Sequence, residues 1–143
     1  TNYLIVRGCW IFGGGPAKDV KFVSAIIRQL DNPEIKALDD VVGSQTYAKD
    51  FVAGILHLLD SEKRGIFHLG NRGSSTRYAV AQHIGRTLGS SAVITPVQGD
   101  YFKLPATRLA NESMISEDFM RPWEDALSEY LADWKKPVAP HTS

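Results

Sequence analysis

The side chains in this sequence that are able to do chemistry are few, and most stand alone. Asp39 and Asp40 are adjacent carboxylates, a pairing used for metal binding and proton transfer. Successive side chains on an extended chain point apart, however, and no histidine stands at ligand spacing, so turn capping is the expected role. His57 and His68 fall within a helical and a strand pattern, where packing is expected. Cys9 is the single thiol and has no evident activating partner, and no serine, histidine and acid set can be assembled. Gly13-Gly14-Gly15-Pro16 follows a strand-like run, as phosphate-binding loops do. It lacks the G-x-G-x-x-G spacing and an acidic residue placed to receive a ribose, which rejects it as a dinucleotide fingerprint.

The whole chain sets the same limits. Its 143 residues suit one domain with a real core, and 43% hydrophobic against 22% charged residues is the balance of a globular protein. Sixteen basic and sixteen acidic side chains cancel. No global field therefore favours nucleic acid or an anionic membrane, and any nucleotide recognition must be local. No apolar run reaches the length of a membrane span. A single cysteine fits a reducing compartment, which makes the cytoplasm the expected location. A strand-like run beginning at Tyr3 without an initiator methionine predicts a piece of a longer protein.

The elements that must position these residues alternate in type. Tyr3–Val6 is a short buried strand, and Val23, Ile26, Ile27 and Leu30 predict one amphipathic helix over Ala17–Leu30. Glu34–Leu38 alternates polar with apolar residues as a strand with one wet face does. Phe51, Val52, Ile55, Leu58 and Leu59 mark a second helix, and Gly65–Gly70 a glycine-bounded strand. Hydroxyls at 74–76 cap a third helix that carries Val80, Ala81, Ile84 and Leu88 and ends at Gly89. Val93–Val97 contains Pro96 and so predicts an edge strand. An irregular stretch to about Ser116 precedes a helix from Pro122 whose stripe of Trp123, Ala126, Leu127, Tyr130, Leu131 and Trp134 is expected in the core, with a homodimer contact as the alternative. The class is α/β, with three or four short strands in a small, incomplete sheet.

Four short motifs, in this order, carry a resemblance. Arg7-Gly8-Cys9-Trp10-Ile11-Phe12-Gly13 is similar to Arg-Thr-Ser-Trp-Val-Tyr-Gly, and Leu38-Asp39-Asp40-Val41-Val42-Gly43-Ser44-Gln45-Thr46-Tyr47-Ala48 to Val-Asp-Asp-Gln-Xaa-Gly-Ser-Pro-Thr-Tyr-Ala. Gly65-Ile66-Phe67-His68-Leu69 is similar to Gly-Ile-Tyr-His-Leu, and Arg121-Pro122-Trp123-Glu124-Asp125-Ala126-Leu127 to Arg-Pro-Trp-Arg-Glu-Ala-Leu. The ordered set resembles the second half of the dTDP-4-dehydrorhamnose reductases, a branch of the extended short-chain dehydrogenases. The resemblance implies the carboxyl-terminal, substrate-binding portion of an extended Rossmann-type reductase over residues 1–136, followed by a loose tail over 137–143.

The resemblance also implies roles and absences. Intact members reduce the 4-keto group of a dTDP-6-deoxyhexulose with NADPH or NADH, and need a Tyr-Xaa-Xaa-Xaa-Lys pair for the proton. Arg7, Phe51, Gln82, Pro105 and Trp134 stand four residues after the five tyrosines, so no pair qualifies. The chain is expected to be inactive alone, to bind no dinucleotide by itself, and to need an amino-terminal Rossmann portion as partner. Trp10 is expected beside the sugar, Lys21 and Phe22 beside the nucleotide, and Val42 and Gln45 at the substrate. Arg108 is expected on a phosphate, and Gly8 and Cys9 at the border of the nicotinamide. Lys21 replaces the family's asparagine, Val41 its glutamine and Gln45 its proline, which keeps open a non-catalytic regulatory or binding module. An epimerase or dehydratase of the same superfamily is a third option.

Overall fold

A computed structural model describes residues 2–102 and 109–135. Arg108 and the tail predicted from residue 137 lie outside the described residues. The chain runs β1 (Leu4–Arg7), β2 (Ile11–Phe12), α1 (Gly15–Lys18), α2 (Phe22–Ile27), β3 (Glu34–Leu38), β4 (Val42–Gly43), β5 (Thr46–Tyr47) and α3 (Ala48–Asp60). It continues through β6 (Gly65–His68), β7 (Ser75–Thr76), α4 (Arg77–Leu88), β8 (Val93–Val97), a 3-10 turn at Gly99–Phe102, β9 (Asn111–Glu112) and α5 (Trp123–Trp134).

The α/β class predicted from alternation is what the chain adopts, but the strands do not make one small sheet. They form three parallel pairs, β1 with β6, β2 with β5 and β3 with β8, and a three-stranded group in which β4 lies between β7 and β9. Five of the strands are two residues long. Such pieces carry no readable period and exist only because tertiary contacts bring their backbones together. The longer strands follow their patterns. Along β3, Ile35 and Ala37 are buried while Glu34 and Lys36 are exposed, and Pro96 lies in β8, which among the described residues pairs with β3 alone.

The helix predicted over Ala17–Leu30 is two short helices separated by residues 19–21, of which Asp19 and Lys21 are extended, and the cause is Asp19. Its carboxylate is buried at 2% exposure, accepts the Lys21 N–H at 2.8 Å and accepts the Tyr130 hydroxyl at 2.7 Å. Those bonds hold Asp19 at ψ 117°, outside the helical range, and restart the helix at Phe22. α4 follows its signals more closely. The Thr76 hydroxyl accepts the Ala79 N–H at 3.1 Å, and Gly89 leaves the helix at φ 72°.

α4 packs on α2, α5 and the β3–β8 pair, around a core that includes Val23, Ile26, Ile35, Ile84 and Leu127. The α5 stripe faces this core, as its spacing predicts. Phe12, Tyr47 and Tyr130 join β2, β5 and α5 through ring contacts of 5.3–5.6 Å. A smaller core of Leu58, Leu69 and Met120 lies with Leu4, Val6 and Phe67 of the β1–β6 pair.

His83, on α4, packs at a 60° tilt with its ring 5.4 Å from that of Trp123 and shares a 2.8 Å hydrogen bond with Ser128. Burial, with a contribution from the Arg86 charge, lowers its pKa below the ordinary 6.5. The folded protein therefore binds this proton less readily than the unfolded chain. The stability it contributes is complete above the unfolded value and is lost as pH falls through the lowered one. Urea midpoints are expected to fall between about pH 7 and about pH 5, and His83→Gln is expected to flatten that slope.

Candidate functional site

β2 and the start of α2 border a cavity of about 290 Å³ whose walls include Trp10, Phe12, Lys21, Phe22, Gln45 and Arg77. Four residues singled out in the sequence, Trp10, Lys21, Phe22 and Gln45, therefore meet at one place although 35 positions separate the first from the last. A wider cleft of about 490 Å³ lies on the far side of Phe22, between α2 and β3, and includes Lys36, Leu38 and Phe102. Phe22 and Arg77 line both spaces.

Trp10 is placed with care by its surroundings. Its φ of 39° lies in the left-handed region, which for a bulky residue costs on the order of 1–3 kcal/mol. Its indole N–H donates to the Glu112 carboxylate at 2.8 Å. The ring lies so close to Gly43 that a Cβ there would come within 2.5 Å of it, so glycine is required for this approach. The Arg77 guanidinium carbon lies 4.5 Å from the centroid of the indole and 4.6 Å from that of the Phe22 ring. Lys21 is exposed at the amino-terminal boundary of α2, with its backbone fixed by Asp19. Gln45 is 3% exposed and donates to the Ser75 hydroxyl at 3.1 Å.

The other predicted positions lie elsewhere. Val42 is half-buried in β4, in register with Thr76 and Asn111, and does not line this cavity. The Gly8 backbone is close to Phe51, where a Cβ would come within 2.9 Å of the ring. Cys9 exchanges hydrogen bonds with Thr46, and its thiol donates to the Glu112 carbonyl at 3.4 Å. Asp39 accepts the Thr76 hydroxyl at 2.7 Å and Asp40 accepts the Gly99 N–H at 2.6 Å, so the adjacent carboxylates tie separate loops, as turn capping requires. His57 packs at a tilt against Phe119, with the ring centroids 4.5 Å apart.

Sequence reasoning missed two residues of the site. Glu112 lies in the irregular segment, 102 positions from the indole it holds, and carried no local signal. Arg77 did carry one. It is the first residue of α4, where the helix's own positive pole disfavours a cation, and the first turn has no acidic residue to offset it.

The glycine loop does not fit a dinucleotide. Gly13 allows close approach to Ala48, whose Cβ would stand 2.9 Å from an added one, and α1 beyond it is four residues long. What the cavity offers is an aromatic wall, a buried amide and two cations, which suits a sugar joined to an anion.

The family described as RmlD substrate binding domain matches residues 1–139. The dTDP-4-dehydrorhamnose reductase of Mycobacterium tuberculosis is 31% identical over 139 residues, covering 90% of this chain and 45% of that protein. The crystal structure of the Yersinia enterocolitica dTDP-4-dehydrorhamnose reductase superposes with a TM-score of 0.86 at 32% identity, over 92% of this chain and 49% of that one. The Bacillus anthracis dTDP-4-dehydrorhamnose reductase, solved in complex with NADP, does so at 0.82 and 26%, over 92% and 48%. The chain thus spans about half the length of the curated relatives it matches. A family match over nearly every residue, on a fold shared with these reductases, establishes that the chain belongs to the RmlD substrate-binding family.

Proposed function

We propose that this chain forms the nucleotide-sugar side of a dTDP-4-dehydrorhamnose reductase site, whose intact form reduces dTDP-4-dehydro-6-deoxy-L-mannose to dTDP-L-rhamnose with NAD(P)H. The observation that carries this reading is the convergence of Trp10, Lys21, Phe22 and Gln45 on one cavity that opens beside a second, more apolar cleft. The indole offers a flat apolar face to a deoxysugar, Gln45 an orienting amide, and Lys21 a charge for the phosphates. The wider cleft, with Phe22, Leu38 and Phe102, suits a base.

The hydride donor and the proton-donating tyrosine belong to the rest of such an enzyme, since the chain has no Tyr-Xaa-Xaa-Xaa-Lys pair. Its role is to hold the sugar and exclude water from it. A dinucleotide-binding portion would continue the β1–β6 pair, where Ile5 and Ile66 remain 46% and 49% exposed although parallel strands are ordinarily covered on both faces. A nucleotide-sugar substrate favours a cytoplasmic location. Among the described residues no helix is long and apolar enough to cross a membrane.

Titration with dTDP-L-rhamnose, following tryptophan emission, tests the reading. Saturable quenching is expected in the wild type. It should be absent in Trp10→Phe and shifted to higher concentration in Gly43→Ala, where the added methyl displaces the indole. Equal affinity and equal emission change in all three proteins would remove Trp10 from the site.

A further inference from the structure

We propose that Arg77 is the residue that recognises the ligand's diphosphate, at the junction of the sugar-side cavity and the base-side cleft. The proposal rests on reading the site as a nucleotide-sugar pocket, and it gives the specificity for the diphosphate to a residue outside the motifs considered in the sequence.

Position is the first argument. In a nucleoside diphosphate sugar the diphosphate separates the sugar from the nucleoside, so its recognition group belongs where the two spaces meet. Arg77 lines both. Phe22 does too, but it has no charge.

The second argument is surroundings. The Trp10 and Phe22 rings stand 4.5 and 4.6 Å from the guanidinium carbon. Contact with two rings limits the rotamer freedom that remains to be lost on binding, and a guanidinium fork can meet two phosphate oxygens at once. The Lys21 ammonium in the same cavity is a point charge without that geometry.

The third argument is charge. Neither space is lined by a carboxylate among the described residues, while Lys21, Lys36 and Arg77 contribute three cations. Arg77 is the first residue of α4, so its charge adds to the positive pole of that helix. An anion held there gains from both the guanidinium and that pole.

Isothermal titration of the whole chain with dTDP, thymidine and inorganic pyrophosphate, in wild type, Arg77→Gln and Arg77→Lys, tests the assignment. Arg77→Gln is expected to weaken dTDP and pyrophosphate by about 10- to 100-fold and to leave thymidine unchanged. Arg77→Lys is expected to recover only part of the loss. If the glutamine variant melts early, the lysine variant decides alone, since wild-type affinity for dTDP there would rule out recognition by the fork. Arg77→Gln with wild-type affinity for dTDP overturns the proposal but leaves the nucleotide-sugar reading standing. Equal losses for thymidine and dTDP reduce Arg77 to a packing residue and overturn it as well. Arg77-dependent pyrophosphate binding without any preference for dTDP supports the anion site and sinks the nucleotide reading. A wild type that binds neither dTDP nor pyrophosphate defeats both.

Discussion

Asp19→Ala is expected to lower the unfolding free energy by about 2–4 kcal/mol, read as a shift of the urea midpoint. The substitution leaves the Tyr130 hydroxyl without its acceptor in a position 1% exposed, and removes the acceptor for the Lys21 N–H at the start of α2. Burial, reinforced by the bond to Asp19, already holds the phenol above its ordinary pKa of 10.0, so ionisation offers it no escape near neutral pH. The same carboxylate also sets the path of Lys21 and Phe22, and Asp19→Ala should therefore weaken nucleotide binding as well. Tyr130→Phe separates the two effects. It removes the bond to one carboxylate oxygen while the other still accepts the Lys21 N–H, so stability should fall with ligand affinity kept. A midpoint unchanged in Asp19→Ala would show that this bond does not hold the helix break in place.

Arg121→Ala has the second large expected effect, also about 2–4 kcal/mol. Arg121 donates to both Asp50 oxygens at 2.8 and 2.9 Å and to Glu129 at 2.6 Å. Asp50 also accepts the amide of Asn71, a fully buried residue whose own carbonyl accepts the Tyr47 N–H at 2.7 Å. The network fastens the start of α5 to α3 and β5. Its weight comes from Asp50, whose side chain is only 16% exposed and would lose both charged contacts with the guanidinium. Lys49→Ala is the control. Its side chain is 69% exposed and its pair with Glu129 is open to solvent, so no measurable change is expected. A double-mutant cycle with Asp50→Ala should show coupling, and strict additivity would deny the network.

These two clusters explain much of what was legible in the sequence. The Arg121-Pro122-Trp123 motif stands out as a run of residues because Arg121 and Trp123 each have a tertiary duty. Arg121 makes the ion pairs, its carbonyl accepts the Arg72 N–H, and Trp123 lies in the core. The long elements were legible because their burial repeats with their geometry, as in α5 and β3. Trp10, Lys21, Phe22 and Gln45 were legible through motifs, and they do share a cavity. Val42 was not separable from them by sequence, because its neighbours in the motif differ from it only in which way a two-residue strand faces.

By itself, the sequence determined the α/β class, the positions of the long elements, the lack of a dinucleotide fingerprint and the lack of a tyrosine–lysine pair. Each of these depends on a local period or a fixed spacing. Only the tertiary structure decided that Asp19 breaks a helix whose apolar pattern is continuous, that Glu112 holds the indole, and that Arg77 stands between two cavities. Those outcomes depend on partners 111, 102 and 67 positions apart, for Asp19 with Tyr130, Trp10 with Glu112 and Trp10 with Arg77. No local period encodes an encounter at that separation, because it is set by how the packed elements bring distant backbones together.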